Sequence, residues 1–130
     1  MNYQCKITVL YTKVFPDLQE KYLADPKSGA CPCYNPGDEF LFRRDGEHDD
    51  FWHLGINTLV KTSGDADKVA GGPKMPFCSE AWDCISRYIY AALQGGSIMN
   101  GWTNDEKVMI ACCNDGTRPV VFRIERIDCE

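Results

Sequence analysis

One amphipathic segment in the C-terminal half of the chain constrains the fold most. Its apolar side chains recur at helical spacing and form a single stripe, made of Ala81, Trp82, Ile85, Tyr88, Ile89, Ala92 and Leu93. Such a stripe predicts a helix that packs one face against another element. We expect this helix to span residues 79–94, with Ser79 as its N-cap and Gly95 ending it in a left-handed conformation.

Strand patterns occur in four other segments, at residues 3–11, 39–44, 107–112 and 119–127. In the first of them, residues alternate with the period of a half-buried strand, which places Cys5 on the core face as a small buried side chain. A short helix is expected over residues 17–24, because Pro16 suits the first helical position. Together these elements predict an α+β fold, in which one main helix packs a small antiparallel sheet.

Length, charge and hydropathy narrow the class of protein. A single domain over residues 1–130 is expected, since a chain of 130 residues can bury one hydrophobic core. The formal net charge of −5 and the lack of a Lys/Arg cluster argue against nucleic acid as a partner. No apolar run approaches the ~18 residues of a membrane span, and the N-terminus does not resemble a signal peptide. We therefore expect a cytoplasmic protein with no membrane partner.

The least regular part of the sequence is residues 45–76, where we predict a long irregular connection. It contains His48 and His53. Both imidazoles can bind metal, but the neighbouring Asp49 and Asp50 favour an exposed polar role for them.

The eight cysteines are the most distinctive chemical feature of the chain. In a reducing compartment, cysteines serve as metal ligands, reactive groups or small buried side chains. Cys31 and Cys33 flank Pro32 in a loop, where a stiff backbone holds two thiols close together. Cys78 falls at the start of the main helix, whose positive end stabilises a thiolate. Cys84, further along the helix, is expected to pack.

Two adjacent cysteines, Cys112 and Cys113, end a strand at a turn, in which the Asp-Gly step is expected to supply a positive φ at Gly116. Successive side chains of a strand point to opposite faces, so both thiols reach one site only if the strand breaks at the turn. After the turn, Arg118 either pairs with Asp115 or binds a carboxylate or phosphate of a small ligand. The Arg–Asp pair is the favoured interpretation.

Two sequence motifs carry a resemblance. They are Phe-Cys-x-x-Ala-Trp at residues 77–82 and Cys-Cys-x-Asp-Gly-x-Arg-Pro-Val-x-Phe at residues 112–122. Both resemble the pattern of a family of small uncharacterised proteins found mainly in anaerobic bacteria and archaea. The family's earlier Cys-Pro segment, followed by an aromatic residue and a glycine, is similar to residues 31–40. The likeness skips residues 43–75, where this chain is longer.

The motif cysteines of that family fall on Cys31, Cys78, Cys112 and Cys113, whereas Cys5, Cys33, Cys84 and Cys129 fall outside them. We predict that these four thiols bind a metal or an iron–sulfur cluster, because soft thiolate ligands select zinc, cuprous ion or iron–sulfur clusters. Zinc is the weaker candidate, since the chain lacks paired Cys-x-x-Cys knuckles. The anaerobic setting that the resemblance implies would permit an oxygen-sensitive cluster.

Two alternatives stay open at this point. In the first, the protein is a cysteine-dependent enzyme that acts on a small anionic metabolite. Cys78 or Cys113 would then be the nucleophile or the acid/base group, Asp115 a base and Arg118 the clamp for the anion. In the second, the chain is a structural or partner-binding module whose reduced, buried thiols have no chemical role.

Overall fold

The structure, a computed structural model, describes residues 2–43, 60–61 and 78–129, with the backbone alone for residues 43, 60 and 61. The elements in chain order are β1 (Asn2–Thr12), α1 (Pro16–Tyr22), β2 (Glu39–Arg43), β3 (Val60–Lys61), α2 (Ser79–Leu93), β4 (Val108–Cys112) and β5 (Val120–Cys129).

The strands of the described residues form one antiparallel sheet in the order β3-β2-β1-β5-β4. Strand β1 lies at the centre, and buried residues alternate with half-buried ones along it. Ile7 of β1 lies opposite Phe40 in β2 and Ile124 in β5. Residues that lie opposite each other share a face, so three fully buried side chains meet at the middle of one side of the sheet.

Helix α2 covers that side of the sheet. Its buried side chains are Ala81, Ile85, Tyr88, Ile89, Ala92 and Leu93. This is the predicted apolar stripe except for Trp82, which is half-buried and stacks at a tilt on Phe42, with ring centroids 5.8 Å apart. Burying one large aliphatic side chain contributes about 1.5–3 kcal/mol to folding. Burial of this stripe is therefore the main contribution to the packing of the helix on the sheet.

The architecture confirms the predicted α+β fold with one main helix. Helix α2 ends at Leu93, and Gly95 beyond its C-cap Gln94 has the expected left-handed φ, at +79°. The N-cap is Cys78 rather than Ser79, and it makes no side-chain capping hydrogen bond. The reason is the extended backbone of Cys78, whose carbonyl accepts hydrogen bonds from two main-chain N–H groups of the first helical turn. Cys78 therefore stands at the positive end of the helix.

The predicted irregular connection at residues 45–76 lies outside the described residues, apart from Val60 and Lys61, which form β3. His48 and His53 lie outside them as well. Neither α1 nor α2 is long and apolar enough to cross a membrane.

Candidate functional site

A pocket of about 120 Å³ opens where the loop before β2, the start of α2 and the β4–β5 turn meet. The described residues that line it are Cys31, Cys33, Tyr34, Cys78, Glu80, Ala81, Cys113, Asp115, Arg118 and Val120. Four of these ten side chains are thiols, and they come from three separate segments of the chain. The pocket therefore collects sulfur from places that are far apart in sequence.

The first wall is the loop that carries Cys31 and Cys33, and Tyr34 anchors it. The Tyr34 ring is 3% exposed and packs edge-on against Phe40 and Phe122, with centroids 5.8 and 5.5 Å away. The Tyr34 hydroxyl accepts a hydrogen bond of 2.9 Å from the main-chain N–H of Cys78. One buried tyrosine thus attaches the thiol loop to both the sheet and the start of the helix.

Helix α2 provides the second wall, which begins at the half-buried Cys78. The Glu80 carbonyl accepts a hydrogen bond of 3.3 Å from the main-chain N–H of Asn114. This bond ties the first turn of α2 to the β4–β5 turn. The start of the helix therefore donates one hydrogen bond to the Tyr34 hydroxyl of the thiol loop and accepts another from the main chain of the hairpin.

At the third wall, strand alternation separates the two adjacent cysteines. Strand β4 continues to Cys112, which is exposed and does not line the pocket. Cys113 follows the strand and is half-buried in the pocket wall, where its sulfur accepts a hydrogen bond of 3.4 Å from the main-chain N–H of Val120. Because the strand does not break before Cys112, the two thiols do not share one site.

The turn after Cys113 is organised by a carboxylate. One oxygen of Asp115 accepts hydrogen bonds from the main-chain N–H groups of Thr117 and Arg118 and from the Thr117 hydroxyl, at 2.9, 3.3 and 3.0 Å. The other oxygen is 3.0 Å from Nε of Arg118, which is the favoured Arg–Asp pair. Gly116 does not have the expected positive φ, since the side chain of Asp115 supplies the hydrogen bonds that shape the turn.

These bonds decide the charge state of Asp115. Burial alone would raise the pKa of this carboxyl, but the hydrogen bonds from Thr117 and Arg118 outweigh it and hold the pKa below its ordinary value. A carboxylate that is occupied by donors and has a depressed pKa is a weak base. Asp115 therefore fits the role of a structural clasp better than that of the base in the enzyme hypothesis.

The thiols of the first two walls influence one another's charge. Partial burial raises the pKa of Cys33, and the nearby Cys31 raises it further through its charge and a side-chain hydrogen bond. The charge of Cys78 acts in the same direction, whereas the Arg118 guanidinium acts against them. Burial is also the main cause of the raised pKa of Tyr34. A thiolate at Cys33 is thus opposed by burial and by its two neighbours and supported by Arg118.

Cys5 and Cys84 also lie away from the pocket lining. Cys5 is fully buried on the core face of β1, as predicted, and its burial raises the pKa of the thiol. Cys84 is half-buried and packs against the core, but it also donates a hydrogen bond of 2.8 Å to the side-chain oxygen of Asn114. Burial, followed by the charges of Cys112 and Cys113, raises the pKa of Cys84.

Of the four thiols predicted to bind metal, the structure brings Cys31, Cys78 and Cys113 to one pocket and leaves Cys112 outside it. Cys33 takes the fourth place. Sequence reasoning also missed Tyr34, although its position directly after the Cys-Pro-Cys step was the available signal. Within the described residues, no three His, Cys, Asp or Glu side chains are spaced to hold a metal ion in this conformation.

Replacing Asp115 by Asn is expected to lower the free energy of unfolding at neutral pH and to reduce its loss in acid. The folded-state pKa of Asp115 lies below the unfolded value of about 3.9, so its stabilisation is complete above that value. This stabilisation is lost as the pH falls through the folded-state pKa. Urea unfolding of both chains at pH 7 and at about pH 3 measures the effect.

The gap in stability between wild type and Asp115→Asn should be larger at neutral pH than in acid. The exposed Asp17 offers a control, because Asp17→Asn removes one carboxylate without touching the turn. A gap for Asp115→Asn that is the same at both pH values would show that the carboxylate is not what holds the turn.

Comparisons with protein-family models, with curated proteins and with solved structures found no match to this chain. The assignment of a function therefore rests on the pocket's own residues.

Proposed function

We propose that the pocket binds a soft metal centre, either a single ion or an iron–sulfur cluster, through Cys31, Cys33, Cys78 and Cys113. The observation that carries the proposal is the meeting of these four thiols at one pocket from three separate segments. Sets of four thiolates in tetrahedral arrangement are typical of zinc and iron–sulfur sites. The exposed Cys112 has no part in the proposed site.

The charge of the pocket residues favours a bound metal cation. Burial, followed by the neighbouring Cys31 and Cys78, raises the pKa of Cys33, so this thiol resists deprotonation. A bound metal removes this penalty because it pairs directly with the thiolates, and it displaces their protons. Arg118, which lines the same pocket, is paired with Asp115, so its positive charge does not oppose a bound cation.

The size of the pocket is compatible with a metal ion or a cluster. The volume of about 120 Å³ is well above the roughly 10–15 Å³ that one water molecule needs on a comparable measure. The pocket has room for a cluster, or for an ion with a further ligand. In the described conformation these side chains are not spaced as metal ligands. Binding therefore requires the thiol side chains to change conformation. Cys31, Cys33 and Cys113 lie outside helices and strands, so a change in their side-chain conformation does not distort a regular element.

We expect anaerobic titration with Co²⁺ to develop thiolate-to-cobalt absorption in the wild type and to distinguish two single variants. Cys33→Ser should weaken Co²⁺ binding at least tenfold, because it removes a pocket thiol. Cys112→Ser should leave the affinity within about twofold of wild type, because its thiol is exposed outside the pocket. Competition with a chelator of known affinity measures both.

The two variants are matched in chemistry and differ in the position of the lost sulfur. If Cys112→Ser abolished binding and Cys33→Ser did not, the four ligands would be the sequence-based set and the pocket would not be the site. A wild-type chain that binds neither Co²⁺ nor an iron–sulfur cluster would remove the proposal altogether.

Arg118 favours a second candidate function, a cysteine-dependent reaction of a small anionic metabolite. The guanidinium lies close enough to Cys33 to oppose the rise of that thiol's pKa, so an anion held by Arg118 would be near a sulfur nucleophile. Cys78 or Cys113 would be the nucleophile in this scheme. Asp115 would hold Arg118 in place rather than act as a base.

The second candidate predicts that the pocket thiols prefer an anionic alkylating agent. In wild type, the ratio of the iodoacetate rate to the iodoacetamide rate at Cys33, Cys78 and Cys113 should exceed that at Cys112. Arg118→Met should lower the ratio several-fold, since a charge pair at about 4 Å contributes roughly 1 kcal/mol in water. Rates at each cysteine can be followed by mass spectrometry.

Arg87→Met removes one exposed cation from α2, so it controls for net charge. It should leave the ratio at the pocket thiols unchanged. Equal ratios in wild type and in Arg118→Met would eliminate the anion clamp without bearing on metal binding.

A further inference from the structure

We infer that Gln19 is a positioning residue that holds two walls of the thiol pocket at a fixed separation. Gln19 is on α1, outside the pocket lining, and is 2% exposed. Glutamine is usually a surface residue, so burial of its amide calls for a set of hydrogen-bond partners. The partners found here belong to the two segments that carry Cys31 and Arg118.

The Gln19 amide makes hydrogen bonds in both directions. Its nitrogen donates to the main-chain carbonyl of Gly29 at 2.9 Å, and its oxygen accepts from the main-chain N–H of Gly29 at 3.0 Å. The same nitrogen also donates to the Thr117 hydroxyl at 3.5 Å. One side chain therefore bridges Gly29 and Thr117, which are far apart in the sequence.

Both ends of this bridge lead directly into the pocket. Gly29 is two residues before Cys31, so its double hydrogen bond fixes the entry to the thiol loop. Thr117 precedes Arg118 and donates twice to the carboxylate of Asp115, which in turn holds Arg118. Gln19 thus contacts the segment that carries Cys31 on one side and the turn that carries Arg118 on the other.

Helix α1 is itself fixed to the hairpin, which makes the bridge a rigid one. The main-chain N–H of Phe15 donates to the Thr117 carbonyl at 2.8 Å, and that of Lys13 donates to the Pro119 carbonyl at 2.9 Å. The helix that carries Gln19 is therefore fixed to the turn at residues 113–118. What its side chain adds is the connection to Gly29.

The chemistry of the bridge requires a primary amide. Glutamate keeps an acceptor for the Gly29 N–H but has no N–H to donate to the Gly29 carbonyl. Methionine has a similar length and fills the space, but it leaves the polar groups of Gly29 without this partner. These two substitutions therefore separate partial from complete loss of the bridge.

The test measures the separation of the walls with dibromobimane, which becomes fluorescent when it joins two nearby thiols. In the full wild-type chain it should crosslink Cys31 or Cys33 to Cys113, as located by mass spectrometry. Gln19→Met should lower the yield of this crosslink at least threefold, and Gln19→Glu should lower it less. Ile89→Val, a buried change in α2 away from the pocket, controls for general loss of stability and should keep the yield.

Co²⁺ affinity gives a second readout, which rests on the proposed metal function. Gln19→Met should weaken Co²⁺ binding at least tenfold relative to Ile89→Val. If the crosslink falls but the wild type binds no Co²⁺, the positioning role stands and the metal proposal fails. If both Gln19 variants keep the crosslink yield of Ile89→Val, or if wild type forms no crosslink between the two walls, the inference is overturned.

Discussion

The pocket depends on one hydrogen bond, from the main-chain N–H of Cys78 to the Tyr34 hydroxyl. The Tyr34 ring is buried between Phe40 and Phe122 in the core, so this bond fixes the start of α2 relative to the sheet. A single hydrogen bond of this kind contributes about 0.5–1.5 kcal/mol, while a buried polar group left without a partner costs about 1–3 kcal/mol. The bond thus matters less for total stability than for where the thiol of Cys78 lies.

Around that anchor, the fold holds together groups that would otherwise separate. Burial and then the neighbouring Cys31 and Cys78 raise the pKa of Cys33, and Arg118 partly opposes this rise. Such an arrangement is stable with protonated thiols and gains most from a bound cation, because the cation replaces the protons. Two further interactions support the pocket. The Asp115–Arg118 pair fixes the guanidinium in the lining, and we infer that the Gln19 hydrogen bonds fix the separation of two walls.

Periodicity in the sequence was sufficient to predict the α+β fold, the limits of α2 and the core position of Cys5. It could not show which thiols converge, because convergence depends on contacts between distant segments. Strand β4 ends at Cys112, where its pattern placed the end, so the separation of Cys112 from Cys113 could be read from the sequence, whereas the place of Cys33 in the pocket with Cys78 could not. Gln19 gave no signal at all, since one glutamine in a short helix has the pattern of an exposed residue.

The most direct test of the central claim is a map of cysteine alkylation in the anaerobically purified protein, with its metal content measured, before and after removal of metal by a chelator. We expect Cys31, Cys33, Cys78 and Cys113 to be protected together while metal is bound and to react after its removal, whereas Cys112 should react in both states. A metal-free protein whose four pocket thiols react independently, and remain unprotected after reconstitution with iron and sulfide or with Zn²⁺, would contradict it.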